Sequence, residues 1–114
     1  MNQITLIIVD DHPLFRQGVV DALSLEPDMR IIDQSANGDE ALEMIRTKKP
    51  TIALLDVNLH GMNGQQVTHQ VSQDRLPTRI ILMTGYDDIE QAVHAALAGA
   101  YGYCSKDIQP QNLS

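Results

Sequence analysis

The chain has 114 residues, 43% of them hydrophobic and 20% charged, with a formal net charge of −7 and one cysteine. That length holds one domain with one sizeable core, and the composition argues against disorder. The acidic balance argues against direct nucleic-acid binding by this piece, because neutralising phosphates needs a basic face. The lone Cys104 has no internal disulfide partner, which fits a reducing cytoplasm, and it reads as a small packing residue.

The first apolar run, residues 4–9, is β-branched, short and strand-like. It has no basic flank and breaks at once into Asp10-Asp11, so it is neither a signal segment nor long enough to span a bilayer. From Pro13 the pattern turns helical, with Phe15, Val19, Ala22 and Leu23 on one face, and Pro13 suits a first helical turn. Residues 29–35 give a second strand and Asn37-Gly38 marks a turn. Residues 39–48 read as a helix with Ala41, Leu42 and Ile45 inward and a basic end of Arg46, Lys48 and Lys49; Pro50 stops it.

The third strand, 52–55, is apolar at every position and runs directly into Asp56. Such a run reads as a strand buried on both faces. A glycine-containing loop follows, then a weaker helix over 64–74 with Val67 and Val71 at i, i+4 spacing. Residues 79–84 form a fourth strand. Ile89, Val93, Ala96 and Leu97 mark a fourth helix that ends at Gly99, and residues 101–105 a fifth strand followed by Lys106. Strands alternating with helices predict an α/β fold: a doubly wound, five-stranded parallel sheet with helices on both faces. After Lys106 too few residues remain for a stable fifth helix, so the final helix is expected to be truncated or absent. The sheet face it would cover is then expected to be open to self-association.

In an open parallel sheet, ligands bind at the carboxyl ends of the strands. Asp10 and Asp11 follow the first strand, Asp56 the third, Thr84 ends the fourth and Lys106 follows the fifth, so the fold would bring all five to one edge. Three carboxylates in one cleft repel one another, and a divalent cation relieves that. Oxygen ligands of this kind suit Mg²⁺, which keeps waters and binds phosphate oxygens. An aspartate in such a place can attack phosphorus, with Lys106 and Thr84 offering a charge and a hydroxyl to the phosphoryl oxygens.

The motifs Val9-Asp10-Asp11-His12-Pro13-Leu14-Phe15-Arg16, Leu54-Leu55-Asp56-Val57-Asn58, Met83-Thr84-Gly85-Tyr86 and Gly99-Ala100-Tyr101-Gly102-Tyr103-Cys104-Ser105-Lys106-Asp107 span most of the chain. Together they resemble the receiver domain of two-component response regulators, and the first and last resemble its LuxR-type, NarL/FixJ-like subfamily. The resemblance implies a flavodoxin-like strand order of 2-1-3-4-5 and phosphorylation of Asp56 by a histidine kinase. It implies Mg²⁺ bound by Asp11, Asp56 and the backbone carbonyl of Asn58, with Asp10 acting through a water. Lys106 and Thr84 would contact the phosphoryl group, and Tyr103 would be an aromatic switch that follows Thr84. It also implies a homodimer whose DNA contacts lie in a C-terminal helix-turn-helix domain outside this chain, residues 1–114 being the receiver alone.

One departure stands out: Leu59-His60 occupies the place where the family often has Met-Pro, so His60 could sit near the metal. By default His12 and His60 read as loop histidines, His69 and His94 as surface residues, and Met29, Met44, Met62 and Met83 as packing or loop residues. Two other readings are a stand-alone receiver signalling by protein contact and a Mg²⁺-dependent phosphatase of the haloacid-dehalogenase type. The latter usually has a second aspartate two residues after its nucleophile, and here that position is Asn58.

Overall fold

Runs of apolar residues become strands here because both faces of the sheet are covered. The structure, a computed structural model, describes residues 3–56, 59–85 and 102–105, with 84, 85 and 102–105 described by their place in the sheet. The elements are β1 (Ile4–Val9), α1 (Pro13–Ser24), β2 (Met29–Ser35), α2 (Gly38–Lys48), β3 (Ile52–Asp56), α3 (Gly64–Gln73), β4 (Arg79–Gly85) and β5 (Gly102–Ser105). All neighbouring strands pair in parallel, in the order β2-β1-β3-β4-β5. The expected fourth helix and the chain after Ser105 lie outside the described residues.

Alternate residues of each strand feed two cores. Leu6, Ile8, Ile52, Leu54, Ile81 and Met83 face α1 through Val19 and Leu23. Ile7, Val9, Ala53, Leu55 and Ile80 face α2 and α3 through Ala41, Leu42, Ile45, Val67 and Val71. Leu54 and Leu55 are consecutive and both fully buried, which only a covered sheet allows. Burying one such side chain contributes about 1.5–3 kcal/mol, so the central strands dominate the stability.

Local chemistry sets the helix ends. Asn37, read as a turn, is the N-cap of α2: its side chain accepts from the N–H groups of Asp39 and Glu40. The helix therefore opens at Gly38, one residue before the expected start. At its other end Lys49 adopts a left-handed conformation, φ +46°, and its N–H donates to the Ile45 carbonyl ahead of Pro50. The weaker helix α3 is held by a capping box in which Asn63 and Gln66 satisfy each other's backbone N–H groups.

One expected core residue is a correction. Ala22 is exposed, while Val20 is partly buried. At 3.6 residues per turn Ala22 lies about 60° from Val19, on the side away from Leu23, so the stripe centred on Val19 and Leu23 leaves it at the rim.

The amino ends of the strands are tied by hydroxyls. Thr5 and Thr51 exchange N–H to Oγ1 hydrogen bonds of 3.3 and 2.9 Å, and Thr78 Oγ1 donates to the Pro50 carbonyl at 2.6 Å. These bonds sit at the edge opposite the acidic residues.

Candidate functional site

Sheet register brings the acidic residues together. Val9 pairs with Leu55, so Asp10 and Asp56 emerge side by side from β1 and β3. Asp10 is fully buried and Asp56 is 2% exposed. One ligand atom from each of Asp10, Asp11, His12 and Asp56 lies within 4.8 Å of the others.

Asp10 fastens three elements. Its N–H donates to the Ser35 carbonyl at the end of β2 (3.0 Å), and its own carbonyl accepts from Arg16 Nη1 in α1 (2.6 Å). Its Oδ1 accepts from the backbone N–H of His12 at 2.8 Å. The reading of Asp10-Asp11 as expected strand-end carboxylates therefore holds, with Asp10 also forming the turn into α1.

His12 is more than a loop histidine. Its Nδ1 lies 3.0 Å from Asp10 Oδ1, 3.0 Å from Asp11 Oδ1 and 3.6 Å from Asp56 Oδ2. His60 Nε2 lies 3.4 Å from Asp11 Oδ2. An imidazole nitrogen thus faces each oxygen of Asp11. A sequence gives little warning of this, since the reach of a ring depends on dihedrals that residue type does not set. The adjacency of His12 to Asp10-Asp11 was the available signal.

Close packed carboxylates in a buried site need a positive partner. Asp11 Oδ1 is shielded from solvent and accepts no hydrogen bond among the described residues, despite the approach of His12 Nδ1. A buried oxygen of that kind, among three carboxylates, fits a divalent cation as ligand set.

The loop after Asp56 returns against α2. The Gly38 N–H donates to the His60 carbonyl at 3.1 Å, and the Met62 N–H donates to Asp39 Oδ2 at 3.2 Å. Gly61 turns the chain with φ +71°. A Cβ at Gly38 would fall 1.7 Å from the Met62 carbonyl oxygen, so this glycine serves a close backbone approach.

Thr84 lies in β4, one residue beyond Met83, the strand partner of Asp56. Tyr103 lies in β5, opposite Leu82. Asn58 and Lys106 lie outside the described residues.

Comparison with known proteins decides the family. The model of the response regulator receiver domain matches residues 6–114. This chain belongs to the response regulator receiver family. The receiver is 34% identical over 109 residues to the nitrate/nitrite response regulator NarL of Escherichia coli, covering 96% of this chain and 50% of that protein. It is 40% identical over 105 residues to the probable transcriptional regulatory protein NarL of Mycobacterium tuberculosis, covering 92% of this chain and 49% of that protein. The solved signal receiver domain of NarL from Mycobacterium tuberculosis superimposes with a TM-score of 0.78 at 37% identity, covering 99% of this chain and 91% of that one. The receiver is therefore of the NarL-like, LuxR-family type, and the flavodoxin-like order read from the motifs is the one found. It spans about half the length of the curated relatives it matches. Among the described residues no helix is long and apolar enough to cross a membrane.

Proposed function

We propose that this receiver is a phosphorylation switch in which Asp56 takes a phosphoryl group from a histidine kinase. The observation that carries the reading is a single one: Asp56, 2% exposed at the carboxyl end of β3, shares a 4.8 Å cluster with Asp10, Asp11 and His12. A carboxylate oxygen of Asp56 attacks phosphorus, the P–N bond to the kinase histidine breaks, and its electron pair stays on the leaving imidazole.

On this reading Asp11, Asp56 and the backbone carbonyl of Asn58 would hold Mg²⁺, and Asp10 would act through a water. Mg²⁺ there would offset the negative charge gathered by the carboxylates and the phosphoryl oxygens. The Thr84 hydroxyl and the Lys106 ammonium bind the phosphoryl oxygens, and Tyr103 changes position with Thr84. Phosphorylation adds charge and three acceptors, which biases β4 and β5 between two arrangements.

The names of the relatives support a transcriptional output. The chain is then the receiver part of a longer cytoplasmic regulator that homodimerises and meets DNA through a helix-turn-helix domain, not through this acidic domain. Velocity sedimentation with and without a phosphodonor tests the dimer.

The test of the switch is incubation with acetyl phosphate. Wild type gains one phosphoryl group in intact-mass spectra when Mg²⁺ is present, and Asp56→Asn gains none. An unchanged wild-type mass, or equal labelling of Asp56→Asn, contradicts the reading.

A further inference from the structure

We infer that Arg16 is a positioning residue for the turn between β1 and α1, where its guanidinium sets the direction from which the Asp11 carboxylate departs. The inference rests on the Mg²⁺ reading above and adds a residue on which the affinity of that site depends.

Helix formation by itself does not favour an arginine at this position. Arg16 stands in the first turn of α1, and its N–H donates to the His12 carbonyl at 2.9 Å. The N-terminus of a helix carries a partial positive charge, so a cation in the first turn is unfavourable and an acidic residue favourable. Helix α2 follows that rule, with Asp39 and Glu40 in its first turn. Helix α1 has no acidic residue there, and its N-cap His12 makes no side-chain capping bond. A local rule broken in this way calls for a gain elsewhere in the structure.

The gain is a contact outside the helix. Arg16 is half-buried, and its Nη1 donates to the Asp10 carbonyl at 2.6 Å. A charged donor makes such a bond short and strong. The Asp10 carbonyl oxygen and the Asp11 N–H belong to one planar peptide unit, so holding that oxygen fixes the plane at the root of the Asp11 side chain. Asp10 is also held through its N–H, which donates to the Ser35 carbonyl at 3.0 Å, and through its Oδ1, which accepts from the His12 N–H at 2.8 Å. Of these three bonds, the one from Arg16 is the one that falls on the peptide linking the two aspartates.

Arg16 acts on a cation at this turn with two opposite signs. As a charge it repels the cation, so its removal would tighten binding. As a tether it aligns Asp11 in advance, so its removal weakens binding. The guanidinium is half exposed, and water and salt screen its repulsion. Groups that orient a metal ligand are worth about 10–100-fold in affinity, so the tether outweighs the charge.

The test is Mg²⁺ titration of the untagged chain, followed by backbone amide shifts in NMR spectra, which report on folded molecules. Arg16→Met keeps the stem and loses charge and donors; it is expected to weaken Mg²⁺ about tenfold, the lower end of that range. Arg16→Lys restores a charged donor on a shorter stem and is expected to fall between the two. Without metal, amide hydrogen exchange in Arg16→Met should quicken more at Asp10 and His12 than at Leu54 and Leu55 in the sheet. In wild type the Arg16 Nη protons should be resolved at low temperature and exchange more slowly than those of the exposed Arg75. Mg²⁺ affinity in Arg16→Met equal to or tighter than wild type overturns this assignment alone. So does an Arg16→Lys no better than Arg16→Met, or exchange that quickens equally at all four amides, the mark of a merely structural role. Should Arg16→Met fail to fold, Arg16 Nη protons that exchange as fast as those of Arg75 overturn the assignment from wild type alone. Failure of wild type to bind Mg²⁺ overturns the cation reading beneath it as well.

Discussion

At the scale of single residues, the site depends on side chains and backbone groups that sit at turns. Gly38 is the sharpest case, because a methyl group there would collide with the backbone carbonyl of Met62, which cannot swing away as a side chain end can. Gly38→Ala is therefore expected to displace the 60–62 segment, lower stability by about 1–3 kcal/mol, and slow phosphorylation of Asp56. Urea denaturation and the rate of mass gain with acetyl phosphate check the two effects. A variant equal to wild type in both would remove the role given to that contact. Asp10, Asp11 and Asp56 were legible in the sequence because a carboxylate that ends an apolar run has few places to go in a parallel sheet. Gly38 was legible only as a turn residue: the chain segment that approaches it lies more than 20 residues on, and local pattern carries no trace of it. In sequence His12 looks like a loop residue for a related reason, since its proximity to Asp56 is made by strand register.

At the scale of elements, the strands were the most readable part and the helix ends the least. β1 and β2 match their expected bounds, and β3 and β4 each run one residue further, to Asp56 and Gly85, because ladder pairing continues past the apolar run. The capping of α3 by Asn63 and Gln66 follows a local signature, Asn at N-cap with Gln three residues later, that the weak apolar stripe of this helix overshadows. The two sides of α1 give a paired prediction. Leu54→Ala, under α1 in the core, is expected to cost about 2–5 kcal/mol, whereas Ala22→Ser at the exposed rim should stay within about 0.5 kcal/mol. Comparable losses in denaturation midpoints would contradict the assignment of Ala22 to the rim.

A second element-scale prediction concerns the tie between β2 and α2. Lys48 Nζ donates to Asp33 Oδ2 at 2.6 Å, and this bond, aided by the Gln34 N–H, holds the Asp33 carboxyl below its usual range. A carboxyl depressed in the folded chain stabilises fully above its unfolded value near 3.8 and loses that contribution as pH falls through the folded value. Asp33→Asn should thus be slightly less stable than wild type at neutral pH, by no more than about 1 kcal/mol for a surface pair. The gap should close in acid. Stability curves in urea at several pH values would expose a gap that widens instead.

At the scale of the molecule, the parallel order of strands does the functional work, because it delivers separate strand ends to one edge. The central strands β1 and β3 carry Asp10, Asp11 and Asp56, and β4 carries Thr84 next to the partner of Asp56. Alternation of strand and helix in the sequence was enough to foresee a parallel sheet; the particular order came from the motif resemblance, since alternation alone permits others. The opposite edge is laced by the hydroxyls of Thr5, Thr51 and Thr78 and reads as a structural base. The net charge of −7 concerns partners rather than folding: an acidic domain of this kind disfavours contact with the phosphates of nucleic acid.

The central claim is that Asp56 carries the phosphoryl group because the acidic cluster makes it the reactive carboxylate. Reduction of the phosphorylated chain with borohydride, which converts an acyl phosphate to an alcohol, followed by peptide mass spectrometry, locates that residue directly. The expected result is homoserine at position 56, only after phosphodonor and Mg²⁺ together. Homoserine at Asp10, Asp11 or any other aspartate, with Asp56 intact, would contradict the account.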